Sequence, residues 1–110
     1  MVAGHVLTGS ITVFDSSFDD FGAGCQGRGG FDDMQADASV TVTDESGTVL
    51  GASHLGEGKR DGFSCVFPFS VTNLPDAKFY GVEVSHRGRA TYSAADLDDA
   101  GWKIGLRLGA

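Results

Sequence analysis

The chain has 110 residues, of which 41% are hydrophobic and 21% are charged, so it is long enough for one domain and too apolar for a disordered acidic tail. Its formal net charge of -7 argues against nucleic-acid binding and against anionic lipid surfaces, because both need a basic face. No apolar run approaches the ~18 residues of a transmembrane helix, so we expect no membrane insertion.

The negative charge is concentrated in the first half of the chain. Up to Gly58 there are nine acidic residues and a single base, Arg28, whereas seven bases and six acids follow from Lys59 onward. This asymmetry favours a cation site or a face that meets a basic partner. A solvated acidic surface is the plain alternative.

Apolar and polar residues alternate with a period of two along most of the chain, which predicts β-strands. The first predicted strand spans 7–13, and a hairpin follows with arms at 39–43 and 48–55. Its turn is Asp-Glu-Ser-Gly at 44–47, with glycine where a positive φ is needed.

The strongest apolar stripe occupies alternate positions of 63–71 and predicts a buried strand. Pro68 falls on the opposite face and lacks the N–H for a ladder, so it indicates a sheet edge or a bulge. After a turn at 73–76 a strand begins near Lys78, and the last strand covers 102–108.

One segment between the last two strands departs from the β pattern. Residues 93–100 begin with serine, a good helix N-cap, carry an acid at the third helical position and precede Gly101. We expect a helix of about two turns that crosses one end of the sandwich.

These elements together predict an all-β fold. We expect a two-sheet β-sandwich, immunoglobulin-like or prealbumin-like, of about seven strands with one short helix before the last strand. Residues 1–110 form one domain in this prediction, and a closed barrel is the alternative. The expected core consists of Leu7, Ile11, Val13, Val40, Val42, Phe63, Phe67, Phe69, Val82, Val84, Trp102, Ile104 and Leu106.

The segment 15–37 is rich in glycine and acids and is the best candidate for a functional surface. A structureless loop of this length is uncommon, so we expect a short strand near 31–34. Calcium binds carboxylate and carbonyl oxygens, and such a loop supplies both. The alternative is a surface loop in which Asp side chains cap turns, since no EF-hand spacing is present. The candidate metal ligands are Asp15, Asp19, Asp20, Asp32 and Asp33.

Basic and aromatic residues are concentrated in one place, formed by Arg87, Arg89, Tyr80 and Tyr92. Arg and Tyr are enriched at binding hot spots, so we predict a partner-binding role for these four residues. The alternative is that Arg87 pairs with Glu83 across the turn.

Neither the histidines nor the serines form a recognisable catalytic motif. His5, His54 and His86 are scattered, and no Gly-x-Ser-x-Gly elbow is present, so we predict no catalytic residue.

The two cysteines, Cys25 and Cys65, are 40 positions apart. We expect a disulfide, because Cys25 lies in a glycine-rich segment with little else to hold it and Cys65 in an apolar strand. Two free buried thiols are the alternative. Without a Cys-x-x-Cys spacing, a zinc site is not expected.

Five short motifs spread over most of the chain deserve comparison with known proteins. They are Cys25-x-Gly27-x-Gly29-Gly30-Phe31-x-Asp33, Cys65-x-Phe67-x-Phe69, Phe79-Tyr80-x-Val82-Glu83-Val84-Ser85-His86-Arg87-Gly88, Tyr92-Ser93-x-x-x-Leu97 and Gly101-Trp102. Together they resemble a group of small exported actinobacterial proteins and lipoproteins of unknown role. The resemblance implies an extracytoplasmic module with one disulfide, and it implies no activity.

We expect a non-enzymatic binding or interaction module outside the cytoplasm, secreted or membrane-anchored, with segment 15–37 or the 87–89 turn as contact surface. Its expected partner is a protein or a cell-envelope component, and we expect a monomer. One alternative is a calcium-stabilised structural domain of a larger exported protein; another is a small hydrolase, which would need a pocket where His, acid and nucleophile converge. Residues 1–4 lack the features of a signal peptide, so an export signal or anchor would lie outside this sequence.

Overall fold

The fold is known from a computed structural model, which describes residues 4–13, 18–21, 24–27, 37–62, 64–85 and 89–108. Ten strands and one helix lie within these ranges. In chain order they are β1 (His5–Val13), β2 (Phe18–Phe21), β3 (Gly24–Gly27), β4 (Ser39–Thr43), β5 (Val49–His54), β6 (Gly58–Asp61), β7 (Ser64–Leu74), β8 (Phe79–Val84), β9 (Arg89–Ser93), α1 (Ala94–Asp99) and β10 (Lys103–Leu108).

The strands form two sheets, which confirms the predicted β-sandwich. One sheet has six strands in the order β10-β1-β7-β6-β3-β2, and the other has four in the order β5-β4-β8-β9. Strands β1 and β10 are parallel, and the remaining pairs are antiparallel. The number of strands is a correction, because ten are present in the described ranges where about seven were expected.

The additional strands come from segments with weak hydrophobic alternation. Strands β2 and β3 form a hairpin within the segment 15–37, which was predicted as a long loop with a strand only near 31–34. The predicted strand near 31–34 lies outside the described residues. Strand β9, which pairs with β8, is another addition. Strand β6 is the last addition, and it is short and mostly charged. Backbone pairing to β3 and β7, rather than side-chain burial, makes it a strand.

Strand β7 forms the middle of the core, because its alternating apolar side chains point between the two sheets. The same alternation leaves Pro68, Ser70 and Thr72 exposed on the outer face. At Pro68 the strand has a local edge, as predicted, because its ladder with β6 ends at Val66. The carbonyl of Pro68 instead accepts a hydrogen bond from the N–H of Gly56, at 2.7 Å.

Most of the predicted core residues are buried. Phe63 lies outside the described residues, and Trp102, Ile104 and Leu106 are only half-buried against the core, since β10 is an edge strand. The buried hydrophobic residues are Leu7, Ile11, Val13, Cys25, Val40, Val42, Leu55, Cys65, Phe67, Phe69, Val71, Leu74, Tyr80, Val82, Val84 and Leu97.

The predicted β4–β5 turn is confirmed in detail. The carboxylate Oδ1 of Asp44 accepts hydrogen bonds from the N–H groups of Ser46 and Thr48, at 2.8 and 2.9 Å. Gly47 has a φ of 82°, the left-handed conformation that favours glycine. This turn holds Asp44 rigidly at one end of the four-stranded sheet.

The predicted short helix is also confirmed. Ser93 accepts a hydrogen bond from the N–H of Asp96, and the Asp96 carboxylate accepts one from the N–H of Ser93, so the two form a capping box. Leu97 is fully buried and attaches the helix to the core, and Gly101 ends it with a φ of 67°.

Cys25 in β3 and Cys65 in β7 form the predicted disulfide, with Cα atoms 6.0 Å apart. The bridge passes beside Gly58 of β6, the residue paired with Cys25. A Cβ at Gly58 would lie 2.4 Å from the Cys25 carbonyl oxygen and 2.8 Å from the Cys65 sulfur. Glycine at this position therefore makes room for the disulfide.

Candidate ligand-binding cleft

The predicted calcium ligands fall mostly outside the described part of the chain. Asp15, Asp32 and Asp33 lie beyond the described residues. Asp19 and Asp20 belong to β2 and pair through their backbones with β3, but their side chains are not among those described. The calcium site therefore stays a prediction. In the described ranges, no three His, Cys, Asp or Glu side chains lie close enough together to hold a metal ion.

Of the four predicted partner-binding residues, the three that the structure describes do not form one patch. Arg87 lies outside the described residues. Tyr80 is 1% exposed on the inner face of the four-stranded sheet and is paired with Tyr92, which is half-buried. Arg89 is exposed and lies opposite Glu83 in the register of β9 against β8. Arg89 is three residues before Tyr92 on β9, an odd separation, and Tyr80 is the register partner of Tyr92. Because successive side chains of a strand alternate between faces, Arg89 and the two tyrosines point to opposite faces of the sheet.

Tyr80 has a structural role in this arrangement. Its hydroxyl donates a hydrogen bond to the Pro75 carbonyl at 2.7 Å and accepts one from the Ala77 N–H at 2.9 Å. Burial raises the pKa of Tyr80 above its ordinary value, and it does the same to the pKa of Tyr92. Tyr80 therefore fixes the β7–β8 turn from inside the sandwich.

Arg89 borders a cleft of about 260 Å³ on the outer face of the four-stranded sheet. Two of its lining residues, Gly81 and Thr91, belong to one row that runs across the sheet through the register pairs of β5, β4, β8 and β9. Its lining residues are Asp44, Glu45, Phe79, Gly81, Arg89 and Thr91. The row consists of Val49, Thr43, Gly81 and Thr91.

Gly81 forms the floor of the cleft. A Cβ at Gly81 would lie 2.2 Å from Cδ and 2.8 Å from Cγ of Arg89. The aliphatic stem of Arg89 thus crosses β8 directly over the glycine, which only a residue without a side chain permits. This packing directs Arg89 away from its register partner Glu83 and toward β4.

Thr43 lies beside this floor and holds an unpaired polar group. The residue is 7% exposed, and its hydroxyl has no hydrogen-bond partner within the described structure. A Cβ at Gly81 would lie 3.0 Å from Thr43 Oγ1, so the hydroxyl faces the space above the glycine. Burying a hydroxyl without a partner costs about 1–3 kcal/mol, which makes it unusual in a folded protein.

Charged and apolar groups surround the floor. Asp44 uses one carboxylate oxygen in the turn, which leaves Oδ2 for other partners. Phe79 and Val49 are 45% and 61% exposed, and they are two of the three large hydrophobic residues exposed in the described ranges. The cleft therefore combines an apolar wall with carboxylates and a guanidinium, as small-ligand sites commonly do.

A second cluster lies at the end of the sandwich, around Trp102. His5 stacks on the indole at a centroid distance of 4.1 Å, and Tyr80 meets its edge at 5.2 Å. His5 Nε2 lies 2.6 Å from Asp76 Oδ1, and the indole N–H donates to Asp98 at 2.9 Å.

The contacts of this cluster hold the backbone of Trp102 at a φ of 60°, which is uncommon for a bulky residue. Since the side-chain polar atoms of the cluster already bond one another, we interpret the cluster as a structural contact that attaches the start of β1 to the end of α1.

A groove of about 350 Å³ lies on the outer face of the six-stranded sheet, between β1, β6, β7 and β10. Its polar lining includes Thr12, Asp61, Ser64 and Arg107. Among its described lining residues, no buried polar side-chain atom lacks a partner. The cleft at Arg89 is the stronger candidate, because the unpaired hydroxyl of Thr43 lies beside its floor.

Comparison with protein-family models, with curated proteins and with solved structures finds no match for this chain. The resemblance to exported actinobacterial proteins thus stays an expectation. The described part of the chain contains no helix with the length and apolarity of a membrane span.

Sequence reasoning named Arg89 as a candidate binding residue but did not name the residues around it. Thr43, Phe79 and Gly81 are each unremarkable in the sequence, and the exposed turn at 44–45 was interpreted only as a turn. Their one sequence signal is a glycine in the middle of an otherwise apolar strand, which often marks a close approach of another group.

Proposed function

We propose that this protein is a non-enzymatic binding module of an extracytoplasmic compartment and that its ligand binds in the cleft at Arg89. The unpaired hydroxyl of Thr43 carries the proposal. Native proteins seldom retain a buried polar group without a partner, and a functional site is a common reason for the exceptions. A ligand that reaches the floor of the cleft would supply the missing hydrogen bond.

The composition of the cleft supports binding rather than catalysis. Its described lining offers a guanidinium, carboxylates and a hydroxyl, and among these described residues there is neither histidine nor cysteine. A nucleophilic mechanism needs a nucleophile in hydrogen-bond contact with a base and an acid that orients the base. The groups present instead suit the orientation of a bound molecule.

The disulfide supports the extracytoplasmic location. Disulfides persist in oxidising compartments and are rare in the cytosol, where thiols are kept reduced. The Cys25–Cys65 bridge connects the β2–β3 hairpin with the central strand β7. Without the bridge, the pairing of β3 with β6 rests on only two register positions, Gly24 with Lys59 and Cys25 with Gly58.

A ligand screen by NMR tests the proposal. The oxidised protein, labelled with ¹⁵N, is titrated with pools of short peptides, oligosaccharides and small organic acids. We expect binders to shift the amide signals of Thr43, Gly81 and Thr91 and to be recovered chemically unchanged. Binders that instead shift the signals around Trp102, or that are converted to products, would overturn the proposal. So would a complete absence of binders.

A matched pair of variants links any binding to the cleft. Phe79→Ala removes an exposed ring beside the cleft, whereas Val6→Ala removes a comparably exposed side chain from β1 in the other sheet. We expect only the first variant to weaken binding. Equal effects of the two would show that the ligand does not use this face.

A further inference from the structure

We propose that the cleft at Arg89 recognises a neutral saccharide. The inference rests on the proposed binding function and adds the chemical class of the ligand. Three features support it, namely the mixed charge of the cleft, its exposed aromatic ring and the unpaired hydroxyl of Thr43 beside its floor.

The mixed charge of the lining disfavours ligands that carry a net charge. Arg89 lines the cleft together with the acidic residues Asp44 and Glu45. An anion would be repelled by the two acids, and a cation would have to compete for those acids with the Arg89 guanidinium that the same lining already provides. A neutral polyol meets neither penalty, because its hydroxyls donate to carboxylates and accept from the guanidinium.

The apolar groups suit one face of a sugar ring. A pyranose presents C–H groups on its flat faces and hydroxyls around its rim. Phe79, 45% exposed, offers an aromatic surface for such a face at the same cleft that holds the charged groups. A small amino acid or inorganic ion would leave this apolar surface unused.

The floor supplies the remaining contact. Thr43 Oγ1 is covered on the side of Gly81 by the stem of Arg89, a single flexible side chain. Rotation of Arg89 would open the hydroxyl to a ligand without any change of the backbone. The freed guanidinium could then bind two adjacent sugar hydroxyls, which its planar fork suits.

The experiment compares two pairs of disaccharides, each with a neutral and a charged member. The neutral probes are cellobiose and N,N′-diacetylchitobiose, the anionic probe is cellobiouronic acid, and the cationic probe is chitobiose at pH 6. Each is titrated into the ¹⁵N-labelled oxidised protein, and the amide shifts of Thr43, Gly81 and Thr91 report binding. We expect a neutral probe to bind with a Kd on the order of 1 mM, the usual strength for a ligand of this size.

The charged probes are expected to bind at least about fivefold more weakly than their neutral counterparts. Two variants sharpen the comparison. Phe79→Ala should weaken the neutral probe about fivefold, and Glu45→Gln should strengthen the anionic probe about threefold, the effect of one unit charge at short range in water. Val6→Ala should change neither.

The outcomes separate this inference from the proposed function. If peptides or organic acids shift the cleft amides and neither neutral disaccharide does, the cleft binds ligands but the saccharide assignment is wrong. Tighter binding of a charged probe than of its neutral counterpart would also overturn it. If no compound in either experiment shifts these amides, the proposed binding function fails as well.

Discussion

Replacement of Thr43 by valine should make the protein more stable and a poorer binder. The two side chains have nearly the same shape, and both suit a strand, so the substitution mainly removes the hydroxyl. That hydroxyl is buried without a partner within the described structure. In most proteins the loss of a buried hydroxyl destabilises the fold, which makes the expected gain an unusual and specific result.

The expected gain in the free energy of unfolding follows from the burial of Thr43. An unsatisfied buried hydroxyl costs about 1–3 kcal/mol, and the methyl group that replaces it contributes up to about 0.8 kcal/mol by burial. Since the residue is 7% exposed, most of both contributions applies. We expect the free energy of unfolding to rise by about 1–2 kcal/mol, which corresponds to an increase in Tm of roughly 5–10 °C.

Urea denaturation of the oxidised protein, followed by tryptophan fluorescence, measures the change. The m-value should be unchanged, because the surface exposed on unfolding is nearly the same. Thr91→Val is the matched control, since Thr91 is in the same row but exposed, and its effect should stay within about 0.5 kcal/mol. A neutral or destabilising Thr43→Val would show that the hydroxyl is already satisfied, and the reasoning behind the proposed site would fail.

Three further predictions concern stability. Replacement of both Cys25 and Cys65 by alanine should lower the free energy of unfolding by about 4 kcal/mol, from the 40-residue loop that the bridge closes. Gly58→Ala should cost about 3 kcal/mol, because its Cβ would lie 2.4 Å from a backbone oxygen. The stability should fall as the pH rises above 10, since burial raises the pKa of Tyr80 and the unfolded chain loses this proton first.

Each of these predictions has its own control. For the disulfide, urea curves of the double variant and of the reduced native protein should coincide, and a loss under about 1 kcal/mol would contradict the loop argument. Gly105→Ala is the control for Gly58, since no atom lies within 4 Å of its added Cβ. Tyr80→Phe should reduce the alkaline loss while Tyr92 keeps its share, and an unchanged profile would show that Tyr80 does not titrate with folding.

Local sequence signals predicted much of the fold. The alternation along β7 determines which side chains enter the core, because successive residues of a strand point to opposite faces. The turn at Asp44 and the cap at Ser93 were predictable since both depend on hydrogen bonds to nearby backbone. Cys25 and Cys65 are the only cysteines, so an intramolecular bridge had one possible pairing.

The β2–β3 hairpin and strand β6 were missed because they lack these local signals. Their backbone groups are paired with strands distant in the sequence, and β6 carries exposed charged residues rather than an apolar face. Strand propensity and period-two alternation indicate a strand with one buried and one exposed face. A strand without a buried apolar face therefore gives no such signal in the sequence.

The candidate site was likewise only partly predictable from the sequence. The sequence by itself predicted that Thr43 would end a strand but placed Arg89 in a turn, and only the tertiary structure decided that Arg89 begins β9 and meets Thr43 over Gly81. That meeting depends on the register of β4 against β8, which joins residues 38 positions apart in the chain. A shift of one residue would turn every side chain of β8 to the other face, and the burial of Tyr80, Val82 and Val84 selects the observed register.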